Sequence, residues 1–239
     1  MSTSSTGGEP SLAERLAAID ARVAEAARAA DRDPAQITRI VVTKFHPASL
    51  VRELAALGVR DMAENRQQEL SAKRVKLASD PVLDGVRWHF VGQAQMNKAR
   101  QIRADADAVH SVDRARLVTA LDAATPGAQQ VLDVLLQVNL TDDAGRGGVA
   151  PAALEALAEQ VAAASTLRLR GIMAVAPLDE APRPAFARVR ELSTRLRRIV
   201  PDADWISAGM TADFEDAIAE GATHLRIGSA ITGNRPARG

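Results

Sequence analysis

Trp205-Ile206-Ser207-Ala208-Gly209-Met210-Thr211-Ala212-Asp213 is followed shortly by Thr223-His224-Leu225-Arg226-Ile227-Gly228-Ser229-Ala230-Ile231. Both stretches have the same grammar: a short apolar strand, a turn built on Gly and Ser, and the start of a helix. Glycine lets the backbone come close to an anion and serine adds a hydroxyl donor. A helix start adds unpaired N–H groups and a partial positive charge. Two such ends side by side, late in an alternating chain, are where a parallel (β/α)8 barrel holds a phosphate group. The pair therefore suggests both an architecture and a phosphorylated small molecule as ligand.

Working outward, the rest of the chain repeats the alternation. Residues 11–30 have helical periodicity, with Leu12, Leu16, Ile19 and Val23 on one stripe. Strands are predicted over 39–44, 59–63, 86–91, 108–111, 131–139 and 167–173. Helices are predicted over 48–57, 66–77, 96–102, 114–123, 151–164 and 184–199. With the two terminal units this makes about eight β/α units after a leading helix, undivided by any linker or repeat. Short βα connections imply a parallel sheet. Eight units in 239 residues favour a closed (β/α)8 barrel with an extra N-terminal helix over an open doubly wound sheet. The barrel is expected over residues 11–239. Residues 1–10, rich in Ser, Thr and Gly without an apolar core, are expected to be a disordered tail and not a signal peptide.

Composition narrows the partners. Thirty basic and thirty acidic residues leave a formal net charge of zero, so no global field draws in nucleic acid or an anionic membrane. No apolar run reaches the roughly 20 residues of a membrane span. The expected setting is cytoplasmic, with no membrane or nucleic-acid partner. Cysteine and tyrosine are both absent, which removes thiolate metal sites, cysteine nucleophiles and any phenol acting as acid or base. The four histidines show no metal-ligand spacing.

Lys44 ends the first predicted strand, which is the active face of a barrel. A partly desolvated amine there can attack an aldehyde; the plainer alternative is a surface lysine closing a strand. Arg226 alternates with Leu225, so the two point to opposite faces of their strand. It is either a barrel-end salt bridge or a guanidinium aimed at a ring nitrogen or an anion. Asn65 follows the second predicted strand as a cap or a site residue. Gln93, Gln95, Asn97 and Lys98 leave the third strand on the same face. Residues 141–148, acidic and then glycine-rich, form either a solvated loop or a lid, and lack the ending of a nucleotide P-loop.

Taken in order, several blocks resemble one family. They are Val41-Val42-Thr43-Lys44, Glu64-Asn65 with Gln68-Glu69, Trp88-His89-Phe90-Val91-Gly92 with Gln95, Asn97 and Lys98, and Leu169-Arg170-Gly171-Ile172-Met173-Ala174. Ser207-Ala208-Gly209-Met210-Thr211-Ala212-Asp213-Phe214 and Arg226-Ile227-Gly228-Ser229-Ala230-Ile231 complete the set. The chain is similar in these blocks to the pyridoxal phosphate homeostasis proteins. The resemblance implies a barrel like the N-terminal domain of alanine racemase. It also implies pyridoxal 5′-phosphate held as an internal aldimine on Lys44, with the phosphate at Ser207, Gly228 and Ser229. By the same resemblance, Arg226 faces the pyridine nitrogen, and Asn65 and Met173 line the cofactor. The implied function is buffering of the cofactor and its delivery to pyridoxal-phosphate-dependent apo-enzymes, by a monomer, without catalytic residues.

Two positions depart from the family pattern. His46 and Arg146 stand where relatives often carry lysines, so imine exchange out of the pocket is closed at both, and Lys98 is the remaining candidate for a relay. The alternative function is a small racemase of the same barrel type with weak one-base activity. The absence of tyrosine and cysteine argues against it, because racemases and decarboxylases of this kind use one of those groups opposite the lysine.

Overall fold

The computed structural model describes residues 9–125 and 130–235. Of the tail expected over residues 1–10, residues 1–8 lie outside the described residues. Eight parallel strands close into a barrel in chain order. They are β1 (Thr38–Val42), β2 (Asp61–Glu64), β3 (Arg87–Phe90), β4 (Ala108–Val112), β5 (Leu132–Gln137), β6 (Leu167–Met173), β7 (Trp205–Ser207) and β8 (His224–Ile227). Helix α1 (Leu12–Ala29) precedes β1. Then α2 (Ala48–Ala56), α3 (Gln67–Leu77), α4 (Ala99–Asp105), α5 (Ala115–Ala123), α6 (Leu154–Ala163), α7 (Pro182–Leu196), α8 (Phe214–Ala219) and α9 (Ser229–Thr232) follow the strands in turn.

Each element has a local cause. α1 starts in a capping box, with Ser11 Oγ accepting from the Glu14 amide and Glu14 from the Ser11 amide. Its buried stripe is Leu16, Ile19, Val23 and Ala27. The helix is sewn to the last units of the barrel: Arg15 Nε donates to Ile231 O at 2.7 Å, and Arg22 pairs with Glu215. Just beyond it, Arg32 donates to the carbonyls of Ile218 and Ala222. The extra helix therefore joins the start of the barrel to its end.

The strand alternation sorts side chains between two compartments. Trp88, Phe90, Val109, Leu225 and Ile227 join the main core between the barrel wall and the helices. Ile40, Val42 and Ala63, with Val91 against them, form a separate apolar cluster. On the remaining inward positions stand His89, His110, His224 and Arg226, all buried.

Two sequence expectations need correction. The first strand ends at Val42, so Lys44 sits in the turn beyond it. The first phosphate cup is not a strand running straight into a helix, because α8 begins only at Phe214. Gly209, at φ 90°, turns the chain where a Cβ would press on Ala217 and Phe214. The Met210 amide then donates to Asp213 Oδ1 at 2.6 Å, and residues 208–213 form a compact turn.

Candidate functional site

The C-terminal ends of β1, β2, β6, β7 and β8 bring most of the expected residues to one mouth of the barrel. Lys44 is exposed there. Phe45, directly after it, has φ 68°, a conformation that a bulky residue adopts only when its surroundings impose it. Its amide donates to Glu69 Oε2 at 2.8 Å. Its ring meets Arg66 at 5.0 Å and Arg235 at 4.0 Å, with the Lys44 ammonium at 5.9 Å. His46 is half-buried in the same turn; burial, and then the charge of Lys73, push its pKa down.

Under this turn lies a buried ion pair. The Lys73 ammonium contacts Glu64 Oε1 and donates to Thr43 O at 2.8 Å, while Thr43 Oγ1 donates to Glu64 Oε1 at 2.6 Å. Burial raises the Glu64 carboxyl above its ordinary value despite the attraction of Lys73. The pair fixes the backbone at Thr43, one residue before Lys44. Sequence reading missed it, although Glu64 ending an apolar strand was a usable signal.

Across the mouth, Arg226 points inward, on the face opposite Leu225. It is buried, and its guanidinium donates to Ser207 O and Ser207 Oγ, each at 2.7 Å, and to Ala174 O at 2.9 Å. One side chain on β8 thus grips β7 and the end of β6. Burial lowers its pKa to about 10, so it stays charged at neutral pH. Ser207 lies where a phosphate ligand was expected, but its hydroxyl is enclosed and already engaged by Arg226 and by His110 at 2.9 Å. Gly228 and exposed Ser229 stand beside the Lys44 turn, since β1 pairs with β8 with Val41 opposite Ile227. A Cβ on Gly228 would reach only Val42, at 3.7 Å and beyond, so crowding by protein atoms does not account for the glycine.

Directly after β2 stands Asn65, packed so closely that a Cβ on Gly92 would overlap the carbonyl oxygen of Asn65. Its side-chain Oδ1 is buried with no hydrogen-bond partner, which is costly unless a ligand donor meets it. Met173 is buried at the end of β6, opposite Ser207. Lys98 lines a cleft of about 480 Å³ together with Asn65, Arg66, Gln93 and Gln95. The loop at residues 141–148 folds back on the barrel. Asn139 holds it from within through Thr141 and Asp143, and the Gly148 amide donates to Asp113 at 3.4 Å. Among the described residues no cluster of histidine and carboxylates could hold a metal ion, and no helix is long and apolar enough to cross a membrane.

Residues 15–236 match the family model of the alanine racemase N-terminal domain. A pyridoxal phosphate homeostasis protein of Pseudomonas aeruginosa is 45% identical over 227 residues, covering 94% of this chain and 96% of its own. The chain belongs to the pyridoxal phosphate homeostasis protein family. A second such protein, from Mycobacterium tuberculosis, is 41% identical over 96% of this chain and 95% of its own. Among solved structures of the family, PipY of Synechococcus elongatus PCC7942 with PLP bound superposes with a TM-score of 0.82. It shares 34% identity and covers 93% of this chain and 100% of that one.

Proposed function

We propose that this chain binds pyridoxal 5′-phosphate covalently on Lys44, holds it in reserve and passes it to apo-enzymes that need it. The observation that carries the reading is the pairing of an exposed amine on the strained β1 turn with a buried, locked guanidinium across the same mouth. The amine suits an aldehyde, and the guanidinium suits a ring nitrogen. Gly228 and Ser229 hold the phosphate in this reading, with Ser229 offering a hydroxyl and the α9 start its unpaired N–H groups. The unpartnered Asn65 Oδ1 fits a donor on the cofactor, and Met173 bounds the pocket. Ser207 acts indirectly by holding Arg226, because its hydroxyl, enclosed between Arg226 and His110, has no proton free to donate to a phosphate. PipY, solved with PLP bound, supports the choice of cofactor.

When bound, pyridoxal phosphate supplies an electron sink to amino-group substrates. The residues around it limit that use. A charged Arg226 at the ring nitrogen disfavours a second positive charge there, and without tyrosine or cysteine no phenol or thiol stands opposite Lys44 as a second base. Storage and transfer are therefore favoured over turnover. Borohydride treatment of the loaded chain, followed by peptide mass mapping, is expected to fix the pyridoxyl group on the peptide containing Lys44. Recovery on another lysine, Lys98 included, would reject the assignment. Loaded chain mixed with a pyridoxal-phosphate-requiring apo-enzyme is expected to activate it.

A further inference from the structure

A line of buried side chains runs through the barrel from the mouth toward its opposite end. Arg226 Nη1 meets Ser207 Oγ at 2.7 Å, and Ser207 Oγ meets His110 Nδ1 at 2.9 Å. His110 Nε2 meets His89 Nδ1 at 2.9 Å, and His89 Nε2 meets Asp61 Oδ1 at 2.9 Å. Asp61 opens β2 at the N-terminal end of the barrel and is partly exposed. The middle members are fully enclosed. Each heteroatom along the line has one partner on either side, so the protons can be placed by elimination.

The two ends fix the direction. Arg226 can only donate. Burial works against the Asp61 charge, but the hydrogen bond from His89, with Arg87 nearby, favours it, and the carboxyl of this partly exposed side chain lies below its ordinary value. Asp61 is therefore a carboxylate that can only accept. His89 must then carry its proton on Nε2 and accept at Nδ1, and His110 must do the same. Ser207 accepts from Arg226 and donates to His110. The reversed order would need a protonated Asp61. A doubly protonated His89 would make His110 donate to Ser207, leaving the enclosed hydroxyl proton with no acceptor among the described residues. His110 is also kept neutral, because burial pushes its pKa well below the ordinary value.

We infer that Asp61, at the far end of the barrel, orients a one-way hydrogen-bond chain through His89, His110 and Ser207 that fixes Arg226 against the cofactor ring. Asp61, His89, His110 and Ser207 are in this sense positioning residues. Among the described residues no carboxylate forms an ion pair with Arg226; Asp213 favours its charge through space. The chain gives the buried cation an anionic terminus without placing a carboxylate in the pocket, where it would repel a phosphate ligand. The role toward the ring rests on the function proposed above; the direction of the chain does not.

The test uses the full-length protein in two stages. Long-range proton–nitrogen NMR on histidine-labelled, cofactor-free protein, assigned with His89→Gln and His110→Gln, is expected to find both rings neutral with the proton on Nε2. A proton on Nδ1 of His110, or an imidazolium at either ring at neutral pH, would overturn the chain. Asp61→Asn removes the fixed acceptor. It is expected to populate Nδ1–H forms in both rings, to shift the absorption band of bound pyridoxal phosphate and to weaken its binding roughly two- to tenfold. An unchanged band and affinity in Asp61→Asn would overturn the link to Arg226. If that variant does not fold, Ser207→Ala cuts the chain at its other end, with the same spectral shift expected and the same rejection if it is absent. Failure of the parent protein to bind pyridoxal phosphate would reject the function and the link to the ring, while the tautomer measurement would still decide the direction of the chain.

Discussion

Ser229 and Ser207 show how much one side chain's direction decides. Ser207 closes β7 and Ser229 comes just after β8, and both carry a hydroxyl, yet Ser229 is exposed at the mouth and Ser207 is sealed between a guanidinium and an imidazole. Ser229→Asp places a negative charge where the phosphate is proposed to sit. It is expected to weaken binding of pyridoxal phosphate by at least roughly tenfold while changing binding of unphosphorylated pyridoxal much less; equal losses in titrations of the two aldehydes would move the phosphate elsewhere. That Arg226 and Leu225 take opposite faces was legible from their alternation. The direction of Ser207 was not, because a strand-final serine reads the same whether it faces the mouth or the interior. The imidazole pair was legible only in hindsight. His89 lies between Trp88 and Phe90, which take the outer core, so once a closed barrel is assumed the ring must point inward toward a neighbour on β4.

At the level of elements, strand and helix order followed from periodicity, and boundaries moved by up to two residues in the strands and up to three in the helices. The segment after β7 was the main miss. Its Ser and Gly suggest a turn leading straight into a helix, but the Asp213 side chain accepts from the Met210 amide and delays α8 to Phe214. The contact between β2 and α3 was also invisible in the pattern, since Lys73 reads as an ordinary helical lysine. Its ammonium instead holds Glu64 and Thr43 under the Lys44 turn. Lys73→Met leaves Glu64 enclosed and unpaired, and is expected to cost about 3–5 kcal/mol in urea unfolding. Adding Glu64→Gln should recover much of that loss, since an apolar and neutral replacement of a buried pair is often close to neutral. A double variant no more stable than Lys73→Met would show that the stability comes from something other than the paired charges.

At the scale of the whole molecule, neutral imidazoles inside the barrel make stability depend on pH. The pKa of His224 is lowered by burial from 6.5 to about 3, and that of His110 moves the same way. Between these values the unfolded chain binds protons that the folded chain refuses. The contribution is therefore complete above about pH 6.5 and falls as pH drops toward about 3, by about 1.4 kcal/mol per pH unit for each fully displaced histidine. Glu64, its carboxyl raised, works with the opposite sign, so the histidine part is best read as a difference. The stability gap between the parent chain and His224→Gln is expected to narrow on acidification, and a gap independent of pH in thermal unfolding would contradict the neutral assignment.

The reach of the Arg226 side chain across β8, β7 and β6 has a mechanical corollary. A guanidinium that holds the carbonyls of two neighbouring strand ends stiffens that arc of the rim, and it cannot swing aside without loosening the wall it belongs to. The neighbouring Lys44 turn is tied one residue earlier, where Lys73 holds the Thr43 carbonyl, and Lys44 itself stays exposed. In the proposed function, cargo enters and leaves over the exposed lysine side of the rim, and the arginine side serves as a fixed backstop.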